Sequence, residues 1–479
     1  MTFSSLTFLI FFLILYGLIL LFNSKRICAG LSEKQQLNCK HGILLIASYI
    51  FYGWLDYRFC ALLLALTAIA WFCARKIEQQ KHRKLYTFIG VVIPLLVLGI
   101  FKYFNFFVDS FAALLGLDSA GVLRILLPVG ISFYTFQSLS YTIDVLRGSI
   151  PSASFTDVAL YISFFPQLVA GPIVKASDFI PQLRSNHKLT LKDLSQGVQI
   201  FVMGLFKKIV LADNLAPFVD SVFEKPLAYS SGTVILAVVA YSIQIYCDFS
   251  GYSDMAIGSA RCLGYHFNRN FNIPYISKNV TEFWKRWHIS LSTWLQEYLY
   301  IPLGGNRKGK VRRYINLMLT MVLGGLWHGA NYTFIIWGFL HGVALCIHKP
   351  FMQWRKSRKS TFLGSALAMA VTYVFVCICW VFFRAENLQV AWDVLTRMFC
   401  FTGGITHVYS WALFAIGVMI IGHVVAWLHS RKQGSKQVDG FYPILDLNRI
   451  PALVLLFLVV LLTFALAYTD ANPFIYFQF

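Results

Sequence analysis

The sequence predicts an all-α, polytopic membrane protein forming a single membrane domain over residues 1–479. Three observations carry that prediction. Only 13% of the residues are charged and 58% are apolar, with mean hydropathy +0.64, whereas soluble domains carry about 25% charged residues. Apolar runs of membrane-spanning length recur along nearly the whole chain. The 41 Lys and Arg, set against 21 Asp and Glu, gather in short loops between those runs, as positive-inside sorting places them. The net charge of +20 is then a matter of topology. It leaves no soluble basic face for nucleic acid, and no such partner is expected. The ten cysteines lie mostly within apolar runs and form no CxxC pair, so neither a disulfide framework nor a zinc knuckle is read from them.

Taken in order, spans are predicted near 5–22, 43–56, 59–73, 86–101, 122–145, 197–212, 232–247, 363–383, 409–428 and 451–468, with an apolar hairpin at 314–347. The first run has no basic segment before it and is long enough to cross, so it reads as a span and not a cleavable signal. Lys25 and Arg26 follow it at once, which places the N-terminus outside and the first loop in the cytoplasm. Basic loops at 75–84, 349–359 and 431–436 are also cytoplasmic by this rule and put the C-terminus outside. Charge leaves the parity of 150–290 open.

Two middle segments are neither good spans nor soluble. Tyr161–Ile173 is apolar but broken by Pro166, Gly171 and Pro172, which reads as re-entrant backbone covered by protein. Residues 246–258, YCDFSGYSDMAIG, set Asp248 and Asp254 beside a span. Carboxylates there are functional candidates, or else they accept amide hydrogens or pair with a cation such as Arg261.

The densest chemistry lies between Glu282 and His341. Glu282–Tyr300 reads as one helix of about 28 Å, carrying Trp284, His288 and Leu291 on one face. Residues 303–313, LGGNRKGKVRR, approach a phosphate-binding loop, but Val311 stands where magnesium binding needs Ser or Thr. Arg307, Lys308 and Lys310 remain able to attract an anionic donor or lipid headgroups. The hairpin that follows reads as arms Tyr314–Trp327 and Tyr332–Ile347, each about 21–24 Å long. Its turn carries His328, which is costly inside a membrane without a role or a partner. A neutral imidazole suits proton removal from a hydroxyl; a hydrogen-bonded structural histidine is the competing reading for both His288 and His328. His341 and His348 lie nearby, but their spacing fits no metal-ligand pattern and no metal is expected.

These stretches resemble the membrane-bound O-acyltransferase family, in its bacterial branch of alginate, polysaccharide and peptidoglycan O-acetylation proteins. The likeness runs through LPVGISFYTFQSLSYTIDV at 127–145, FFPQLVAGPI at 164–173, GLFKKIVLADNLA at 204–216, YCDFSGYSDMAIG at 246–258, FWKRWHISLSTWLQEYLYIPLGGNRKG and GGLWHG in the central stretch, WVFFRAENL at 380–388 and the terminal PFIYFQF. It implies a ring of about 11 transmembrane helices, with short and re-entrant helices, around a central funnel or tunnel. It pairs His328 of WHG with His288 of WHIS as catalytic residues within 282–341. It implies an inner-membrane O-acetyltransferase with no bound cofactor, taking acetyl-CoA as donor and passing the acetyl group through a periplasmic partner to an exported glycan. In that reading Tyr476, in the aromatic tail 469–479, either carries the acetyl group or anchors the tail at the interface. The rival readings are D-alanyl transfer to teichoic acid, a transporter of acyl donor without chemistry, and a scaffold of a polymer-export complex.

Overall fold

A computed structural model describes residues 1–23, 30, 32–117, 122–185, 189–355, 361–433, 445–468 and 474–475. Among them there is no strand, only one isolated bridge between Tyr229 and Ile405. Among the described residues, seven helices are long and apolar enough to cross a membrane: Arg58–Glu78, Arg83–Leu115, Leu191–Glu224, Ser231–Cys262, Tyr332–Phe351, Phe362–Arg384 and Ser410–Ser430. Leu6–Phe22 and Ile450–Ala465 are shorter apolar helices. The chain is a multi-pass helical membrane protein. It comprises two compact units, residues 1–201 with 255–268, and residues 202–254 with 269–479.

The first unit contains α1 (Leu6–Asn23), α2 (Glu33–Asp56), α3 (Arg58–Glu78), α4 (Arg83–Leu115), α5 (Ile131–Leu146), α6 (Phe155–Ser163), α7 (Phe165–Leu168) and α8 (Ala176–Arg184). Ser32 and Gln35 start α2 with a reciprocal capping box, and Ser154 caps α6. These side chains satisfy amides that a helix start otherwise leaves bare. The span expected at 122–145 begins only at Ile131. Pro128 holds the residue before it out of helical geometry, and Gly130 stands at φ 79°, so the chain enters α5 through a turn. A Cβ at Gly130 would lie 2.9 Å from the Leu168 carbonyl. The broken segment at 161–173 is buried throughout; it holds the end of α6 and the single turn α7, which Pro166 opens, and no further helix before Pro172.

α9 (Leu191–Leu205) continues through a π-helical stretch, Phe206–Ala212, into α10 (Asp213–Glu224). α11 (Ser231–Cys262) follows, then α12 (Val280–Arg286), α13 (Ile289–Leu295), α14 (Gly309–His328), α15 (Tyr332–Arg355), α16 (Phe362–Arg384), α17 (Leu388–Cys400), α18 (Ser410–Gln433) and α19 (Ile450–Ala465). Within the second unit α11 lies close on the end of α9 and the π-helical segment, because Gly251 offers no side chain: a Cβ there would stand 2.7 Å from the Gly204 carbonyl and 3.1 Å from the Lys208 amide nitrogen.

The single helix predicted over 282–300 is broken. α12 stops at Arg286, and α13 starts at Ile289 and passes into π-helical turns at Gln296–Tyr300. Between them Trp287 is extended and His288 is left-handed, at φ 43° and ψ 56°, a conformation costing roughly 1–2 kcal/mol. Two caps supply the reason. Asn279 holds the start of α12 by accepting from the Glu282 amide at 2.8 Å. Asn270 holds the start of α13, its carbonyl accepting from the Ile289 amide at 2.8 Å and its side chain from the Ser290 amide at 3.1 Å. The predicted Trp284–His288–Leu291 face therefore does not form.

The hairpin forms, with longer arms than predicted. α14 has 20 residues and α15 has 24, because α14 begins among the basic residues at Gly309 and α15 runs on to Arg355. The arms meet backbone to backbone. A Cβ on Gly325 would lie 2.3 Å from the Phe334 carbonyl, and one on Gly338 would lie 2.4 Å from the Met321 carbonyl. Asn331 closes the turn, accepting from the Thr333 amide at 3.0 Å and donating to the Glu386 carbonyl at 2.8 Å.

Candidate active site

His328 is the last residue of α14 and is 4% exposed. Its ring sits among three others, with centroids 5.0 Å from Trp327, 5.0 Å from Trp337 of α15 and 5.2 Å from Phe383 of α16. His288 is fully buried. It meets Phe249 of α11 edge to face at 4.6 Å, Trp327 at 6.1 Å and Phe271 at 6.4 Å. The Trp327 indole is thus a ring neighbour of both imidazoles. The two histidines that sequence resemblance pairs share one aromatic chamber within the second unit.

Aromatic walls of this kind exclude water without offering competing hydrogen bonds, which strengthens every polar interaction inside. His288 makes one such interaction, Nδ1 to Asn270 Oδ1 at 3.2 Å. Its Nε2 is buried without a hydrogen-bond partner among the described residues. The other two central histidines face different groups: His341 Nδ1 accepts from the Trp284 indole at 3.3 Å, and His348 Nδ1 lies 2.8 Å from Thr281 Oγ1. Among the described residues no three His, Cys, Asp or Glu side chains are grouped as a metal site.

The two aspartates of α11 are ion-paired, though not to Arg261, which bonds Asp193 at 3.1 Å within the first unit. Asp254 pairs with Lys207, whose ammonium also donates to Ser250 at 3.1 Å. Asp248 pairs with Lys208 at 2.7 Å, and Lys208 reaches Asp213 at 2.8 Å. Both lysines belong to the π-helical segment. The sequence signal for them was available: adjacent lysines in an apolar run require buried counter-charges, and two aspartates stand in the next span.

The C-terminal segment is moored to the same elements. The Tyr468 amide donates to the carbonyl of Ile209, in the π-helical segment, at 3.1 Å. Asn214 Nδ2 donates to the Leu466 carbonyl at 3.0 Å. Further on, the Ile475 amide donates to Asp248 Oδ2 at 2.8 Å, a charge-assisted bond. Phe474 stacks on Tyr252 at 4.5 Å and lies 5.8 Å from Phe249, the ring that also contacts His288. Phe474 and Ile475 are 2% and 5% exposed. Tyr476 lies outside the described residues, one peptide bond beyond Ile475.

Arg307 and Lys308 stand exposed in the turn before α14, and Lys310 stands exposed in its first turn. α14 is about 30 Å long, and His328 closes its other end. The basic turn therefore lies about a helix length from His328. Asn270, Trp327, Phe249 and the two lysines are site residues that sequence reasoning passed over.

The model of the MBOAT, membrane-bound O-acyltransferase, family matches residues 145–392, a stretch containing both His288 and His328. The probable alginate O-acetylase AlgI of Azotobacter vinelandii is 44% identical over 84% of this chain and 78% of its own length. The peptidoglycan O-acetyltransferase of Helicobacter pylori is 39% identical over 74% of this chain and 73% of its own. The teichoic acid D-alanyltransferase of Bacillus subtilis is 28% identical over 54% of this chain and 69% of its own.

Proposed function

The chain belongs to the membrane-bound O-acyltransferase family, and from that premise we propose an inner-membrane O-acetyltransferase that modifies an exported polysaccharide or peptidoglycan. The observation that carries this reading is the unbroken series of ring contacts Phe474–Phe249–His288–Trp327–His328. It sets two imidazoles and the approach of the aromatic tail in one buried aromatic cluster. The relatives named for O-acetylation share 39–44% identity against 28% for the D-alanyltransferase, which favours acetyl over D-alanyl.

Acetyl-CoA is the proposed donor, its anionic end held near Arg307, Lys308 and Lys310 and its thioester reaching the chamber. His328 and His288 share proton handling and polarisation of the thioester carbonyl. An acceptor hydroxyl attacks the carbonyl carbon as its proton passes to an imidazole. The tetrahedral intermediate then expels the coenzyme A thiolate, which takes that proton back, leaving an ester, free thiol and neutral imidazole. Tyr476 is the proposed first acceptor. Its ester would be attacked in turn by a hydroxyl delivered with a periplasmic partner, regenerating the phenol. The docking of Ile475 and Phe474 supports this, because it brings the chain to within one residue of Tyr476 beside Phe249.

The test is O-acetyl ester on the exported polymer in cells carrying normally inserted His328→Ala or Tyr476→Phe protein. Both are expected to lose it. Wild-type acetylation in the first would sink the role of His328, and in the second it would remove the tyrosine relay.

A further inference from the structure

The hydrogen bonds around Asn270 fix more than the start of α13. At ordinary precision an asparagine amide can be turned end for end, and an imidazole proton placed on either nitrogen. Here a backbone group removes the ambiguity. The Ser290 main-chain N–H can only donate, and it points at Asn270 Oδ1 at 3.1 Å, so that atom is the carbonyl oxygen. The Ser290 hydroxyl donates to it as well at 2.9 Å, and Asn270 Nδ2 reaches Ser253 Oγ at 3.3 Å. His288 Nδ1, 3.2 Å from the same oxygen, must then bring the proton. The ring is neutral with its hydrogen on Nδ1, because protonating both nitrogens would bury a cation among Phe249, Phe271 and Trp327 with no carboxylate bonded to it among the described residues. The lone pair therefore sits on Nε2, the one atom of this ring without a hydrogen-bond partner among the described residues.

We infer that Asn270 is a positioning residue that locks His288 in the Nδ1–H tautomer, so that His288 presents Nε2 as a proton acceptor in acyl transfer. This rests on the proposed acetyl-transfer reading for the identity of the proton, but not for the tautomer. Free imidazole prefers its hydrogen on Nε2, so the arrangement is imposed by the site. It also accounts for the left-handed backbone at residue 288, which lets Asn270 serve the Ser290 amide and the His288 ring with one oxygen.

The experiment is nitrogen NMR of histidine-labelled, detergent-solubilised full chain, with the His288 resonance assigned by its loss in His288→Gln. The expected signature is a protonated Nδ1 and a pyridine-like Nε2. An Nε2–H signature in the wild-type protein would overturn the inference whatever the enzyme does, so its failure is separable from failure of the acetylation reading. Asn270→Leu is expected to shift the signal toward Nε2–H and to lower kcat for acetyl transfer about 100-fold, with KM for acetyl-CoA little changed. Asn270→Asp, which keeps an acceptor oxygen, is expected to recover most of that rate and the Nδ1–H signal. Equal losses in the two variants, with both chains folded and inserted, would reduce Asn270 to a structural cap.

Discussion

His288 shows what a residue's neighbours add to its identity. As a letter in the sequence it was readable as a candidate, because a histidine in an apolar setting needs a role or a partner. Its partner was not readable. Asn270 lies 18 positions earlier, in a stretch with no periodicity linking it to the central segment, and only the fold brings the two together. Arg261 shows the opposite error. It was a reasonable cation for Asp248 or Asp254 by proximity in sequence, yet the structure spends it on Asp193 and gives the aspartates Lys208 and Lys207. Lys208→Met is expected to leave Asp213 and Asp248 buried without a counter-charge, costing about 3–5 kcal/mol. Thermal unfolding in detergent, compared with an exposed control such as Lys225→Met, measures it. A cost under 1 kcal/mol would mean that the pair is hydrated.

The helices were legible where hydropathy decides and illegible where tertiary caps decide. Nothing in residues 282–300 announces a break, since the segment contains neither Pro nor Gly. The break exists because Asn270, from outside the segment, caps a second short helix at Ile289, overriding a propensity worth only tenths of a kcal/mol per residue. The late start of α5 was more accessible, since Pro128 and Gly130 stand in the sequence as a turn signal. The α14–α15 hairpin was legible from its apolar runs, and its closeness makes a sharp prediction. Gly325→Ala would push a methyl into the Phe334 carbonyl, and the arms must part. The expected cost is about 1–3 kcal/mol. Activity should fall further than stability alone explains, because His328 ends one arm and Trp337 rides on the other. Wild-type kcat in a folded Gly325→Ala chain would show that hairpin spacing does not position the imidazole.

For the whole molecule, composition alone established the solvent: so few charges in so many residues fold only with lipid around them. The exposed Leu, Ile, Val and Phe of α18 and α19 are what a lipid-facing surface requires. Loop charge further predicts which side each turn meets. With accessible native thiols replaced, Arg307→Cys is expected to react with a membrane-impermeant maleimide in inverted vesicles and not in intact cells. Labelling from outside would reverse the orientation. A chain ending at Tyr468 keeps both imidazoles but loses Phe474 and Ile475. It should still hydrolyse acetyl-CoA slowly while passing no acetyl group to polymer, measured by free thiol release against polymer ester. Full transfer by that truncated chain would detach the tail from the chemistry.

The mooring of Ile475 on Asp248 also has a consequence in time. Residues 474 and 475 are translated after every other residue of the chamber, so the pocket is open on that side throughout synthesis and insertion. A nascent chain already threaded into the bilayer, with both histidines in place, still lacks the aromatic lid over Phe249 and Tyr252. Under the proposed mechanism, biosynthesis then supplies its own safeguard: donor turnover coupled to export would begin only on chains that have been translated past Ile475.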